Sequence, residues 1–387
     1  MIPALRRLSP TEAGAHYFFG YYDVPAYNSD STLHLAHRVG FWERRPAADD
    51  VAQIGILERG KTGFTPLATT TAWNFQQGAM LQWFPGEPSR EIIFNVCEEG
   101  AYRSCILEIH SGKKRLYPMP IANVDRQGRY ALSINFSRMY DFRPGYGYAG
   151  TTDPWQNQLQ PAEDGIYLQD FQDGSVKLIL SLEQIGELTS HWLPVSNRKL
   201  LVNHLTFNPS GTRFVALVRY FPEPGQPFPA RTVVLTANTD GSDCKAVTQG
   251  YTVASHYFWK NDAELLIYVA GRQGVRLYEW NLHTGAEKVL DADFFTDDGH
   301  CSYSSDRRYV LYDSYPDEQQ YRHLYLYDLE TRQKFCPGKL FCAPSDVEIR
   351  CDLHPRWNPT GELVSLDSTH EGGRGIYEIE AAVMRAT

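Results

Sequence analysis

Cys351-Asp-Leu-His-Pro-Arg-Trp-Asn-Pro-Thr-Gly361 is followed by the apolar run Glu362-Leu-Val-Ser-Leu366. The stretch combines a histidine, an aromatic residue three positions later, a polar turn and a short predicted strand. The same unit occurs three more times, and its copies begin with His300-Cys-Ser-Tyr303, His256-Tyr-Phe-Trp259 and His204-Leu-Thr-Phe207. The copies are roughly 40 to 55 residues apart, a period typical of the blades of a β-propeller.

Similar units can be placed along the whole chain of 387 residues. Asp-Gly and Asn-Pro-x-Gly turns separate short alternating strands, as expected for hairpins. A helical pattern is confined to residues 182–187. We therefore predict an all-β fold, a seven-bladed β-propeller that fills residues 1–387 as a single domain. The predicted blades begin near residues 16, 73, 121, 204, 256, 300 and 354.

The composition indicates a soluble protein rich in strands. Aromatic residues make up 13% of the chain, which suits strands more than helices. The net charge of −9 argues against a nucleic-acid partner, because phosphate binding needs a basic surface. No apolar run has the length of a signal-peptide core or a membrane span. The seven cysteines are odd in number and not closely paired, which favours a reducing compartment. We predict a cytoplasmic monomer or weak homodimer with no membrane partner.

The repeated histidines define a candidate metal site. The innermost strands of a propeller line a central channel, so imidazoles at one repeated position would converge near the axis. We predict a divalent metal, Zn²⁺ by preference with Mn²⁺ or Ca²⁺ as alternatives, at His256, His300, Asp352 and His354. If the side chains that face the channel are shifted by one residue along the strand, Cys301 or Cys351 could replace one of these ligands. Alternatively, the histidines could only hold neighbouring blades together.

The second and third blades lack the histidine, since Met80 and Ile121 occupy its position. The third blade instead carries an insert, residues 137–160, that is rich in Arg, Tyr, Gly and Pro. Guanidinium groups bind carboxylates in pairs of hydrogen bonds, and tyrosines can stack on a sugar or transfer a proton. The insert could therefore be an anion-binding wall, or a connecting loop whose aromatic residues pack on a neighbouring blade.

Four segments resemble seven-bladed propeller polysaccharide lyases: Phe19-Gly-Tyr-Tyr-Asp23, Arg143-Pro-Gly-Tyr-Gly-Tyr148, Gly299-His-Cys-Ser-Tyr303 and Cys351-Asp-Leu-His-Pro-Arg-Trp357. Ulvan lyases are the nearer expected relatives and oligogalacturonate lyases the more distant. The resemblance implies action on a uronic-acid-containing glycan, with a divalent metal on histidines of the late blades. Two positions depart from the family patterns: Asp352 stands in place of a further histidine, and Met80 stands where a lyase histidine is expected in blade two.

The resulting hypothesis is a lyase that cleaves an acidic oligo- or polysaccharide by β-elimination. Arg138 or Arg143 would neutralise the substrate carboxylate, and a metal could assist as a Lewis acid. His204 would remove the C5 proton, and Tyr146 would act as the acid or as a second base. Further substrate contacts are predicted at His16, Gln77, Asn95 and Tyr148. His16 could alternatively be a packed residue that closes its blade.

The sequence leaves two other functions open. The first is a non-catalytic glycan-binding or scaffold propeller in which the metal only joins blades five to seven. The second is an accessory propeller of the periplasmic type that binds protein partners, which the predicted lack of a signal sequence disfavours.

Overall fold

The computed structural model describes residues 2, 4–193, 195–220, 231–248 and 250–386. Its strands form seven four-stranded antiparallel sheets. The sheets are the blades of a ring, so the prediction of a seven-bladed β-propeller is confirmed.

The chain starts with a short strand, β1 (Arg6–Arg7), that belongs to the last blade. From the inner edge outward, the first blade contains β2 (His16–Phe18), β3 (Leu33–Val39), β4 (Ala52–Glu58) and β5 (Thr65–Thr70). The second blade contains β6 (Gln82–Trp83), β7 (Glu91–Glu98), β8 (Ala101–Glu108) and β9 (Lys114–Tyr117). The third blade contains β10 (Asn123–Val124), β11 (Tyr130–Ser133), β12 (Gly165–Asp170) and β13 (Val176–Ser181).

The later blades have the same order of strands. They contain β14 (Leu200–Phe207), β15 (Arg213–Tyr220), β16 (Arg231–Asn238) and β17 (Lys245–Ala246); β18 (Ala254–Trp259), β19 (Glu264–Gly271), β20 (Gly274–Asn281) and β21 (Glu287–Val289); β22 (Cys301–Tyr303), β23 (Tyr309–Asp313), β24 (Tyr321–Asp328) and β25 (Lys334–Phe341); and β26 (Arg356–Trp357), β27 (Leu363–Ser368) and β28 (Gly375–Glu380), with β1 outermost.

The N-terminal strand closes the ring. β1 pairs with β28, and Arg6 lies opposite Glu378. The buried carboxylate of Glu378 accepts hydrogen bonds from Arg6 at 2.6 Å, from Arg59 of the first blade at 2.7 Å and from the hydroxyl of Tyr27 at 2.9 Å. A buried carboxylate is costly without such partners. The same contacts therefore satisfy Glu378 and join the first blade to the last.

Three short α-helices and one 3₁₀ turn (Val195–Asn197) interrupt the strands of the described residues, and the α-helices are α1 (Phe136–Phe142), α2 (Leu182–Thr189) and α3 (Ala381–Met384). The predicted helical pattern is confirmed by α2, where Ser181 and Gln184 form a capping box. α1 was not predicted; Asn135 caps it by accepting hydrogen bonds from two backbone N–H groups of its first turn. Among the helices of the described residues, none has the length and apolar character required to cross a membrane.

His37 on β3 is a buried histidine, and the folded state favours its neutral form. Its Nε2 accepts a hydrogen bond from the backbone N–H of Ala79 at 3.0 Å, and its ring stacks on Phe18. Burial lowers the pKa of His37 to about 4, whereas an unfolded histidine has a pKa of about 6.5. Between these values the unfolded chain binds more protons, so the free energy of unfolding falls as the pH drops below about 6.5.

When the pH is lowered from 7.5 to 5.0, the free energy of unfolding should fall in both proteins. We expect this fall to be about 2 kcal/mol smaller in the His37→Gln variant than in the parent. Glutamine can still accept a hydrogen bond from Ala79 but does not titrate. Urea unfolding of both proteins at the two pH values measures the difference, and other titrating groups cancel in the comparison. Equal losses in the two proteins would contradict this role of His37.

Candidate active site

The repeated histidines meet at the centre of the ring. The ring centroids of His256 and His300 are 4.1 Å apart, and those of His300 and His354 are 4.2 Å apart. Tyr21 links His204 to them, since its ring lies 5.0 Å from both His204 and His354. Blades four to seven thus bring one imidazole each to a shared cluster, which we call the imidazole cluster.

A distorted backbone aims these side chains. His204 and His354 have left-handed φ angles of 47° and 42°, which are uncommon outside glycine and cluster at functional sites. The strand pairing also shifts register around His204 and around His256, and such bulges redirect a side chain. Met80 has the same kind of backbone, with a φ of 53°. The repeat therefore persists in blade two, although the imidazole is absent there.

The segment Phe19–Asp23, which we call the central plug, crosses the channel next to the imidazole cluster. The backbone N–H groups of Phe19 and Gly20 donate to the carboxylate of Asp367 at 3.1 and 3.3 Å. Gly20 has a φ of 126°, and a Cβ there would lie 2.9 Å from the carbonyl of Gln77, so the close approach requires glycine. The rings of Tyr21 and Tyr22 then pack against the cluster.

His300 and His354 present unprotonated nitrogens to one another. Nδ1 of His354 lies 2.8 Å from the carbonyl oxygen of Gly20, which can only accept, so this nitrogen carries the proton. Nδ1 of His300 lies 2.9 Å from the carboxyl group of Asp313, whose two oxygens already accept the backbone N–H groups of His300 and His354, so we assign Nδ1 as a further donor to it. The two Nε2 atoms, which then carry lone pairs, are 3.1 Å apart. Burial lowers both pKa values well below the usual range, and a neighbouring imidazole lowers each further, His256 for His300 and His300 for His354. Two facing lone pairs repel unless a cation lies between them.

Asp352 adds a buried carboxylate to this pair. Burial favours its protonated form, but the guanidinium groups of Arg322 and Arg350, at 2.7 and 2.8 Å, outweigh it and lower the pKa of Asp352. The two guanidinium groups are close enough for ion pairs, but their angles do not suit hydrogen bonds. Both oxygens of Asp352 therefore lack a hydrogen-bond partner among the described residues. One oxygen lies 3.9 Å from Nε2 of His354. Asp352 is therefore ionised and has lone pairs to offer.

These three side chains fit a divalent metal. One ligand atom from each of His300, Asp352 and His354 lies within 4.8 Å of the others. Imidazole nitrogens bind Zn²⁺ at about 2.0–2.1 Å, so two of them on one ion lie roughly 3.0–3.4 Å apart, close to the observed 3.1 Å. The Asp313 carboxylate behind His300 is the kind of partner that orients a metal-binding histidine. Burial raises the pKa of Cys351 to about 12, and the thiol of Cys301 is also held neutral by burial. These thiols are thus poor alternatives to the three ligands.

Two further histidines of the cluster are paired with carboxylates. Nδ1 of His256 lies 3.0 Å from Asp298, and Nε2 of His204 lies 2.9 Å from Asp23 of the central plug. Each carboxylate fixes one nitrogen as a donor and leaves the other as a base. His256 is adjacent to the metal-ligand group rather than part of it, within the part of the chain that the structure describes.

The arginine- and tyrosine-rich insert reaches the same centre. Tyr146 lines a small pocket together with His204 and Gln77, and its hydroxyl accepts a hydrogen bond from Arg350 at 3.1 Å. Arg143 stacks over the ring of Tyr146 and pairs with Glu348 at 3.2 Å. The pKa of the half-buried Arg219 on β15 is lowered by burial and by the charge of Arg143. Two like charges thus lie close together beside the pocket.

The other predicted site residues lie in packed surroundings. Arg138 on α1 directs its guanidinium N–H groups to four backbone carbonyls and to Asp153, which holds the insert in place. Asn95 and Tyr148 are buried and hydrogen-bonded to each other at 2.9 Å. His16 lies near Trp42 and Gly373, between the first and last blades. These contacts are of the kind that hold a fold together.

Several residues of the centre were not singled out from the sequence. They are Asp298, Asp313, Arg219, Arg322, Arg350 and Tyr315. Most lie outside the repeated histidine unit, on second strands or connecting loops, where periodicity gives no signal. Tyr21, Tyr22 and Asp23 were part of a recognised aromatic segment, but their position across the channel has no pattern in the sequence.

Comparisons with known proteins agree with the fold. No known family matches the sequence, and no curated protein matches it. An oligogalacturonate lyase in complex with manganese is similar in structure, with a TM-score of 0.68, 13% identity and coverage of 99% of this chain and 96% of the other. The oligogalacturonate lyase of Vibrio parahaemolyticus has a TM-score of 0.63 and 14% identity, and the match covers 97% of this chain and 92% of the other. The propeller domain of the Trilobed protease from Pyrococcus furiosus has a TM-score of 0.54 and 10% identity, and the match covers 94% of this chain and 96% of the other.

At these identities the similarity establishes a shared fold alone. The part of the predicted resemblance that concerned oligogalacturonate lyases is thus supported at the level of architecture. The prediction that ulvan lyases are nearer relatives receives no support from these structures.

Proposed function

We propose that this protein is a metal-assisted lyase that cleaves an acidic oligosaccharide, of the oligogalacturonate type, by β-elimination. The observation that carries the proposal is the His300–His354 pair, whose two lone-pair nitrogens face each other 3.1 Å apart beside the ionised Asp352. The solved lyase with manganese makes Mn²⁺ a natural first choice of ion, with Zn²⁺ as the alternative. When bound, such a cation would withdraw charge from a substrate carboxylate and so acidify the neighbouring C5 proton.

The base in this proposal is His256. The C5 proton is one carbon away from the carboxylate, so the base must lie beside the metal ligands, and the His256 ring is 4.1 Å from that of His300. Asp298 holds Nδ1 as the donor, which leaves Nε2 to take the proton. The C5–H electrons form the C4–C5 double bond, and the C4–O bond breaks. His204, the base predicted from the sequence, is the second candidate because it lines a pocket with Tyr146.

Arg143 of the insert and Arg219 of β15 neutralise the substrate carboxylate, and Tyr146 of the insert assists the leaving group. Arg219 approaches Arg143, whose guanidinium is paired with Glu348, so the substrate carboxylate binds mainly to Arg219. Nε of Arg219 has no hydrogen-bond partner among the described residues. Tyr146, whose hydroxyl accepts a hydrogen bond from Arg350, protonates the departing C4 oxygen. Arg138 has no part in this proposal, because its N–H groups are used by the insert itself.

We expect purified protein supplied with Mn²⁺ to convert oligogalacturonates into unsaturated products. The measurement is the ultraviolet absorbance of the new double bond, followed with and without a chelator. Matched oligosaccharides that contain glucuronate or iduronate, as ulvan does, would reveal whether another uronate is preferred. A flat trace with every uronate, from protein shown to contain its metal, would contradict the proposal.

A non-catalytic propeller is the second candidate function. His300, Asp352 and His354 are each only 2% exposed, and the central plug packs over them, as would suit a metal that only joins blades. In that case chelation would lower the melting temperature, and uronate oligosaccharides would bind without being cleaved.

A further inference from the structure

A second cavity lies on the other side of the central plug. The inner strands all run in the same direction, and in blades four to seven the aromatic residue that follows the histidine by three positions is the last residue of its strand. The aromatic residues therefore gather at the opposite mouth of the channel, together with Tyr27 of the first blade. They line a funnel with a volume of about 570 Å³: Tyr27, Trp83, Phe207, Trp259, Tyr303 and Trp357.

The plug is the floor of this funnel. Tyr22 and Asp23 line it, whereas no histidine of the imidazole cluster does so within the described part of the chain. A ligand in the funnel would thus be separated from the candidate metal by the side chains of the plug. The funnel is a different site from the candidate active site.

Unpartnered polar groups line the apolar wall. The hydroxyl of Ser302 is buried, with the residue 3% exposed, and it has no hydrogen-bond partner among the residues that the structure describes. The indole Nε1 of the partly buried Trp357, which donates but cannot accept, is a buried atom that also lacks a partner among these residues. A buried polar group without a partner is destabilising, so these groups favour a ligand that carries hydroxyl or carboxylate oxygens.

Two arginines add positive charge at the rim. Arg126 lines the funnel from the turn after β10, and Arg307 lies in the turn after β22, over the ring of Tyr303. Neither arginine is paired with a carboxylate within the described ranges. Burial and the nearby charge of Arg126 lower the pKa of Arg307, so the two guanidinium groups approach from different blades and repel each other. An anion between them would relieve this repulsion.

We propose that the funnel is a second saccharide site, which binds a uronate-containing oligosaccharide without cleaving it. Sugar rings present apolar C–H faces that pack on the aromatic wall, and their hydroxyl groups reach Ser302 and Trp357. A carboxylate of the sugar binds Arg126 and Arg307. The choice of a uronate as the anion rests on the proposed function, whereas the site itself rests on the funnel.

The test uses the His354→Ala variant without added metal, so that turnover and the metal site do not contribute. We expect saturated oligogalacturonate to quench the fluorescence of the tryptophans that line the funnel. Adding Arg126→Ala and Arg307→Ala should weaken this binding at least 10-fold. The matched control is Arg272→Ala, which removes an exposed arginine of the turn between β19 and β20, outside the funnel lining, and should leave binding unchanged.

Three outcomes would overturn the inference. They are no quenching, equal quenching after the two arginine substitutions, and equal affinity for a neutral oligosaccharide of the same length. The failure of the proposed function is distinguishable from these results. Saturable, arginine-dependent binding without any elimination would support the funnel site and contradict the proposed function. Elimination without such binding would support the proposed function and contradict the funnel site.

Discussion

The His354→Ala variant is expected to lose its bound divalent metal and, with it, nearly all elimination activity. Even residues behind a metal ligand typically change affinity by 10- to 100-fold, so removing a ligand should weaken binding by at least about 100-fold. The loss of one charge-stabilising group typically costs about 10²–10³-fold in rate. Metal content after dialysis and initial rates with an oligogalacturonate measure the two effects.

The matched control for this experiment is His283→Ala. His283 is an exposed histidine in the turn between β20 and β21, so its loss should change neither metal content nor rate. The fold of the metal-free variant should persist, because alanine removes one of two facing lone pairs. Retention of a full equivalent of metal by His354→Ala would show that the ion, if any, is bound elsewhere.

The His256→Ala variant is expected to retain its metal and lose about 10²–10⁴-fold in kcat, the contribution typical of a general base. His256 contacts the ligand His300 through its ring but is fixed by Asp298, so the metal site should survive the substitution. Rates at saturating substrate, together with metal content, separate this effect from that of His354→Ala.

His204→Ala is the matched comparison, because His204 is also a buried imidazole paired with an aspartate. If His204→Ala loses the larger factor while His256→Ala stays within about 10-fold of the parent, the base is His204 and the assignment of His256 is wrong.

The fold was predictable from the sequence because its signal is repetitive. One unit of histidine, aromatic residue, turn and strand recurs in four blades, and its period alone indicates a propeller. The gathering of the histidines follows from the same reasoning, since equal positions in adjacent blades point toward one axis. The short strand β1 that closes the ring carries no comparable signal, because two residues define no pattern.

The chemistry of the centre was less predictable, because it depends on contacts between blades. The lone-pair arrangement of His300 and His354 is set by Asp313, on the second strand of the sixth blade, and by the carbonyl of Gly20, which is 334 residues away from His354. The commitment of Arg138 to loop carbonyls depends on the unpredicted helix α1. Charged residues of an insert look alike in a sequence, whether they face a substrate or hold the insert in place.

The central claim is that His300, Asp352 and His354 hold one divalent cation. Anomalous diffraction from crystals grown with Mn²⁺ tests it most directly. The account predicts a single strong peak within coordination distance of the Nε2 atoms of both histidines and of the Asp352 carboxylate. The claim would be contradicted by a map without a peak between these side chains, in which the two imidazoles share a proton and remain about 3.1 Å apart.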